Sequence, residues 1–146
     1  SYLKIGDFNI KKKTLFLHGA NTKNHNDALL TMPDHVMKLM IDLHVFNSPG
    51  NYYLFSDDFA PGPKRKSEKC FRDYWGRELR KNLNLTDRYK FYSLKDTGIT
   101  NMLRANTDIL TVRDQARHSS ILVTDIYTPK DIQDANKLLL NYKGVL

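Results

Sequence analysis

His118 and Tyr127 stand nine residues apart in the segment Ala116-Arg117-His118-Ser119-Ser120-Ile121-Leu122-Val123-Thr124-Asp125-Ile126-Tyr127. Nine residues is about two and a half turns of α-helix. A loop histidine, Ser119 as a good N-cap and a short helix together present an imidazole and a phenol to one common site. The imidazole can donate hydrogen bonds, and a phenolic oxygen can act as a nucleophile. Taken alone, the same spacing also suits a core tyrosine on a short helix, with the histidine capping a helix or lying in a solvated loop.

The elements that must position this pair read as a small sheet followed by helices. Asp7-Phe8-Asn9-Ile10, the Lys11-Lys12-Lys13 turn, Thr14-Leu15-Phe16-Leu17-His18, the turn-rich 19–26 stretch and Ala28-Leu29-Leu30-Thr31-Met32 predict a β-meander. Pro33-Asp34 starts a helix striped with Val36, Met37, Met40, Ile41 and Leu43, which ends at Asn47-Ser48-Pro49-Gly50. Tyr52-Tyr53-Leu54-Phe55 is short and apolar, a strand or extended segment. Pro61-Gly62-Pro63 breaks the chain, and a helix is predicted over residues 67–82 with Phe71, Trp75 and Leu79 on one face. Ser93 with Asp96 suggests an N-cap pair for a helix through Ala105, with Leu94, Ile99, Met102 and Leu103 inward. Asn106 suits a left-handed terminus, and Thr107 caps the next helix, which holds Ile109, Leu110 and Val112. A last helix opens at Thr128-Pro129 and must bury Ile132, Leu138, Leu139 and Leu140. The fold class is α+β, mainly α, with a small antiparallel sheet at the N-terminal end.

Composition bounds the function. The chain has 146 residues, enough to bury roughly 68–70% of its unfolded surface around one core, so residues 1–146 are expected to form a single domain. No apolar run is long enough to span a membrane, and residues 1–7 lack the basic-then-apolar layout of a secretion signal. The single cysteine, Cys70, allows no internal disulfide and suggests a reducing, cytoplasmic setting; it reads as a packed helix residue. The net charge is +7 and uneven: residues 1–63 carry six Lys/Arg against six Asp/Glu, and residues 64–146 carry seventeen against ten. A basic second half suits a polyanionic partner, and equally a solvated basic face. The five histidines show no metal-ligand spacing with Cys or acidic residues, so neither a metal nor another cofactor is expected.

Four segments, in order, resemble the catalytic domain of tyrosine recombinases of the phage-integrase type. Leu3-Lys4-Ile5-Gly6-Asp7-Phe8 is similar to the family's Leu-x-x-x-Asp stretch entering the sheet. Thr22-Lys23, before Met32-Pro33, resembles its β-hairpin lysine. Tyr92-Ser93-Leu94-Lys95-Asp96-Thr97 stands where the family usually has His-x-x-Arg-His-Thr, and the His118–Tyr127 segment resembles its C-terminal signature. The resemblance implies DNA breakage and rejoining by a recombinase of a mobile element.

That chemistry calls for cations on the non-bridging phosphate oxygens, a nucleophile, and an acid for the leaving group. On the resemblance, Tyr127 attacks to form a 3′-phosphotyrosyl link, His118 donates a hydrogen bond to a non-bridging oxygen, and Lys23 protonates the departing 5′-oxygen. Lys95 takes the second family arginine's place, keeping the charge without the two-pronged grip on phosphate. Tyr92 takes the usual histidine's place as a hydrogen-bond donor, and Asp96 stands for a second histidine, reading as a helix-capping acid. The family's first catalytic arginine normally precedes the Leu3–Asp7 stretch, as does a separate DNA-clamping domain. Residues 1–146 are therefore expected to be a truncated catalytic domain, very weak or inactive alone; Arg104, Arg113 and Arg117 are candidates for the guanidinium that Lys95 lacks.

Lys64, Arg65, Lys66, Lys69 and Arg72 form the densest basic cluster; on a helix start they suit contacts to DNA backbone phosphates, and an exposed basic loop fits equally. Tyr89-Lys90-Phe91-Tyr92 interleaves rings and charges, with two rings expected in the core. The implied partner is double-stranded DNA, with four protomers on two duplexes in the working assembly and a monomeric fragment. A catalytically decayed DNA-binding relative and a topoisomerase-like nicking enzyme are the alternatives.

Overall fold

A computed structural model describes residues 2–22, 25–128 and 140. The chain divides into two compact units, Ser1–Lys95 and Asp96–Leu146. No helix among the described residues is long and apolar enough to cross a membrane.

The first unit carries the expected meander. Strands β1 (Phe8–Asn9), β2 (Thr14–Leu17) and β3 (Ala28–Thr31) form one antiparallel sheet in sequential order, with Phe8 opposite Leu15 and Leu15 opposite Leu30. A 3₁₀ turn, Ile5–Asp7, leads into it. Asp7 fixes that entry: Oδ2 accepts from the Lys4 N–H at 2.7 Å, and Oδ1 meets His18 Nε2 at 3.1 Å. The β2–β3 connection is tied on both sides of residue 23. Gly19 N–H donates to Asp27 Oδ1 at 2.7 Å, and the Thr22 hydroxyl donates to the Gly19 carbonyl at 3.0 Å. A side chain at Gly19 would not fit, because a Cβ would lie 2.6 Å from the His25 carbonyl oxygen. Lys23 itself lies outside the described residues.

Helix α1 (Asp34–Asp42) packs on the sheet entry by a narrower face than its apolar pattern suggests. Met37 and Met40 are buried, and Met40 joins Ile5 and Val45 in a core flanked by Phe8, Met32, Val36, Phe46, Tyr52 and Leu54. Ile41 and Leu43, expected inward, are exposed, and left-handed His44 follows the helix and leads into a 3₁₀ turn. Tyr52–Phe55 is the extended segment expected: Tyr53 bridges Lys4 and Gly62, and the Leu54 N–H donates to the Leu3 carbonyl.

The helix expected over residues 67–82 is broken into α2 (Glu68–Tyr74), a π turn (Trp75–Leu79) and α3 (Arg80–Asn82). The wider turn rotates the residues at its far end, so Trp75 is buried while Leu79 is exposed. Trp75 Nε1–H donates to the Tyr89 carbonyl at 2.9 Å, satisfying the buried indole. Phe71 gathers Phe55 and Phe59 edge-on, at 5.0 and 5.3 Å between ring centres, and Phe91 stacks on it at 6.3 Å. Tyr89, Phe91 and Tyr92 are all exposed, so none of them is a core ring; Phe91 only covers Phe71 and Trp75 from outside. Cys70, half-buried on α2, has Sγ 3.2 Å from Ser67 Oγ.

Helix α4 (Ser93–Arg104) begins at the end of the first unit and continues into the second. Ser93 is inside it, with Oγ accepting from the Lys90 N–H at 3.1 Å. Ile99 is buried and Leu94 is exposed. Asn106 takes the left-handed conformation expected at its end (φ 59°). Helix α5 (Ile109–Ala116) is capped by Asp108 rather than Thr107, since the Asp108 carboxylate accepts from the Thr111 N–H at 2.9 Å. That backbone hydrogen bond, foremost, holds the Asp108 carboxyl below the usual aspartate value. Val112 is buried and Leu110 exposed. Helix α6 (Ile121–Asp125) packs against α5. The last helix expected from Thr128-Pro129 lies outside the described residues apart from Thr128 and Leu140, the latter exposed.

Candidate active site

The second unit builds its site at the α5–α6 junction. Helix α5 ends in a Schellman motif: the His118 N–H donates to the Arg113 carbonyl at 3.0 Å, and the Arg117 N–H donates to that of Asp114 at 3.1 Å. Arg117 takes the left-handed position (φ 56°), where glycine is the usual occupant. The motif turns the chain sharply just before His118. Two serines come next, and the second is the cap: Ser120 Oγ accepts from the Leu122 N–H at 3.2 Å, so Ser119 does not fill the expected role. Helix α6 then runs one short stretch, and Tyr127 sits in the turn beyond it, its N–H donating to the Thr124 carbonyl at 3.0 Å.

His118 and Tyr127 are brought side by side, as their spacing predicts. Their rings stack at 5.9 Å between centres and 21° between planes. His118 Nδ1 and Thr124 Oγ1 share a 2.9 Å hydrogen bond whose direction depends on the imidazole tautomer. Thr124 is completely buried, so this contact satisfies a hydroxyl that water cannot reach and also fixes the imidazole plane. The Tyr127 hydroxyl donates to Asp96 Oδ1 at 2.8 Å. Asp96 lies in the first turn of α4, and the Thr100 hydroxyl donates to its carbonyl at 3.0 Å. An imidazole held by a threonine thus flanks a phenol whose oxygen rests against a carboxylate.

Thr124 and Asp96 are the residues that sequence reasoning did not place in this site. Thr124 carries no motif that separates it from any helical threonine. Asp96 was visible beside Lys95, and its place near the start of a helix made capping the simpler reading.

Tyr92, Lys95 and the basic cluster belong to the first unit. Tyr92 is exposed, and Lys95 extends its ammonium over the Tyr92 ring, 5.7 Å from the ring centre. In the basic cluster, Lys64, Arg65 and Lys66 precede α2, Lys69 stands in its first turn and Arg72 in its last. Two of the five cations lie over aromatic faces: Arg65 is 4.0 Å from the Tyr2 ring centre and Lys66 4.5 Å from that of Phe59. Lys64, Lys69 and Arg72 are exposed. Among the arginines considered as substitutes, Arg113 points two nitrogens at Asp114, each at 2.7 Å, and Arg117 shapes the turn before His118.

Residues 1–134 match the phage integrase family. No curated protein matches the chain. Among solved structures, one titled "Crystal structure of XerA recombinase" is similar at a TM-score of 0.62 and 24% identity, over 95% of this chain and 48% of that one. The chain therefore spans about half the length of that recombinase chain, and the likeness is one of fold: helices with a small antiparallel sheet at the N-terminal end. With a match running from the residues that enter the sheet through the His118–Tyr127 segment, the chain belongs to the phage integrase family.

Proposed function

We propose that this chain is the catalytic portion of a site-specific DNA recombinase of a mobile element, breaking and rejoining strands through a 3′-phosphotyrosyl intermediate at Tyr127. The observation that carries the reading is the stacked His118–Tyr127 pair, with the Tyr127 hydroxyl already engaged as a donor. A nucleophilic oxygen must be held within a fraction of an ångström of its line of attack, and a ring stacked on one side and hydrogen-bonded at its tip is held in that way. With Nδ1 engaged by Thr124, Nε2 is the His118 nitrogen assigned to a non-bridging phosphate oxygen. Lys95 supplies positive charge to the same phosphate, Tyr92 a hydroxyl, and Lys23 the proton for the departing 5′-oxygen. Lys64, Arg65, Lys66, Lys69 and Arg72 contact the DNA backbone without reading bases. The protein works on double-stranded DNA, as four copies on two duplexes, in the cytoplasm of a bacterium.

A second reading, a DNA-binding relative that no longer cleaves, is favoured by one feature: Lys95 replaces a forked guanidinium with a single ammonium, and that ammonium lies on the Tyr92 ring. One experiment separates the two. The full protein and its Tyr127→Phe variant are incubated with a nicked suicide DNA substrate and resolved on a denaturing gel. A covalent protein–DNA band that disappears in Tyr127→Phe is the expected result. Binding to the correct site without any covalent band would favour the second reading.

A further inference from the structure

The Tyr127 hydroxyl donates to the Asp96 carboxylate at 2.8 Å. A carboxylate there is costly for an enzyme that must bring a phosphodiester to the same tyrosine, because two anions repel at close range. It is useful only if its charge is removed as the reaction proceeds. We infer that Asp96 takes the phenolic proton of Tyr127 during strand cleavage and returns it during rejoining. The inference rests on the recombinase reading above.

In cleavage, Tyr127 Oη forms a bond to phosphorus while the bond from phosphorus to the 5′-oxygen breaks. The Oη proton crosses the existing hydrogen bond to Asp96 Oδ1, and the 5′-oxygen takes its proton from a separate acid. The carboxylate becomes neutral as negative charge builds on the pentacoordinate phosphorus, so the repulsion fades where it would be greatest. In rejoining, the 5′-hydroxyl attacks and gives its proton to that separate group, the Oη–phosphorus bond breaks, and neutral Asp96 hands its proton back to Oη. His118 has another place in this arrangement: it meets the phenol as a stacked ring, and its Nδ1 is bonded with Thr124.

Asp96→Asn isolates proton transfer from positioning. An asparagine keeps an oxygen that accepts the phenolic hydrogen bond, yet it cannot take the proton. The test measures single-turnover formation of the covalent band by the full protein on a nicked suicide substrate, with DNA binding measured separately by gel shift. Asp96→Asn is expected to slow covalent-band formation on the order of a hundredfold while binding DNA normally. Asp96→Glu, which retains a carboxylate, is expected to stay within about tenfold of the unsubstituted rate. Cleavage by Asp96→Asn at or above the unsubstituted rate overturns the inference, since Asp96 then merely holds or restrains the phenol. Should Asp96→Asn lose DNA binding, Asp96→Glu decides: cleavage sustains the inference, and binding without cleavage overturns it. A covalent band absent even from the unsubstituted, DNA-bound protein overturns the recombinase reading and this inference with it, which separates that failure from the one above.

Discussion

Residues 118–127 and residues 64–72 both carry side chains suited to a phosphate, and the structure treats them in opposite ways. Around His118, polar atoms meet specific partners at 2.8 and 2.9 Å, and one of those partners, Thr124, has no exposure at all. Around Lys64 the placement is looser: Arg65 and Lys66 lie over the rings of Tyr2 and Phe59, while Lys64, Lys69 and Arg72 are exposed. The difference reflects the demands of each task. Attack on phosphorus fails when a reacting atom is misplaced by about an ångström. Attraction between an ammonium and a line of phosphates tolerates far looser placement. On the proposed function, tight geometry suits the segment that would make the bond, and looser geometry the segment that would grip DNA.

The strongest way to break that comparison is to loosen the tight segment without touching the tyrosine. Thr124→Val keeps the shape of a fully buried side chain and deletes the hydroxyl that meets His118 Nδ1. The loss of a buried hydrogen bond costs about 1–3 kcal/mol of stability. The covalent-band rate is expected to fall about tenfold or more, as an imidazole free to turn no longer presents a fixed donor. Unchanged cleavage in a folded Thr124→Val protein would falsify the claim that this anchor matters to the chemistry.

The basic segment predicts a smaller and differently shaped effect. Replacing Lys64, Lys69 and Arg72 together with alanine is expected to weaken DNA binding about equally on all sequences. The dependence of log affinity on log salt should flatten by about 0.9 for each phosphate that is no longer neutralised. Arg65→Ala is expected to show two effects, because its guanidinium also packs on Tyr2: a salt effect of its own and a small drop in the melting midpoint that the exposed cations lack. Should Arg65→Ala lower the midpoint and leave DNA affinity and its salt dependence unchanged, Arg65 would not be one of the cations that contact the backbone.

Much of this was legible in the residues, with identifiable exceptions. The meander was readable because Thr14–Leu17 and Ala28–Thr31 are β-rich runs bounded by turn residues, and the His118–Tyr127 adjacency because a loop, a serine cap and a short helix were visible between the two residues. The π turn was not readable, since Phe71, Trp75 and Leu79 fit an ordinary helix, and the extra residue per turn shows only in the fold, where Trp75 finds the Tyr89 carbonyl. Local caps were misassigned by one residue at the starts of both α5 and α6: Asp108 and Ser120 act where Thr107 and Ser119 were equally good candidates. Propensity could not choose between neighbours that are both good caps. The Asp96–Tyr127 bond was hidden for another reason, because it joins residues 31 positions apart and no local pattern encodes such a pairing.

The gentlest test concerns the frame on which the tight segment is mounted. Asp108 starts α5, and the far end of that helix turns directly into His118. Asp108→Ala removes the cap and is expected to lower the melting midpoint by a few degrees at neutral pH, whereas Asp108→Asn keeps a capping oxygen and should change it little. The Asp108 carboxyl is held below its usual value in the folded chain, so its contribution is complete above the ordinary aspartate range and disappears as pH falls through the folded value. The gap in midpoint between Asp108 and Asp108→Ala should therefore close in acid, and a gap that persists undiminished there would mean that the charge on Asp108 is not what holds the start of α5. If the gap closes and cleavage at neutral pH is nonetheless equal in the two proteins, the precision around Tyr127 originates at the Arg117 turn and Thr124, not at the beginning of the helix that leads to them.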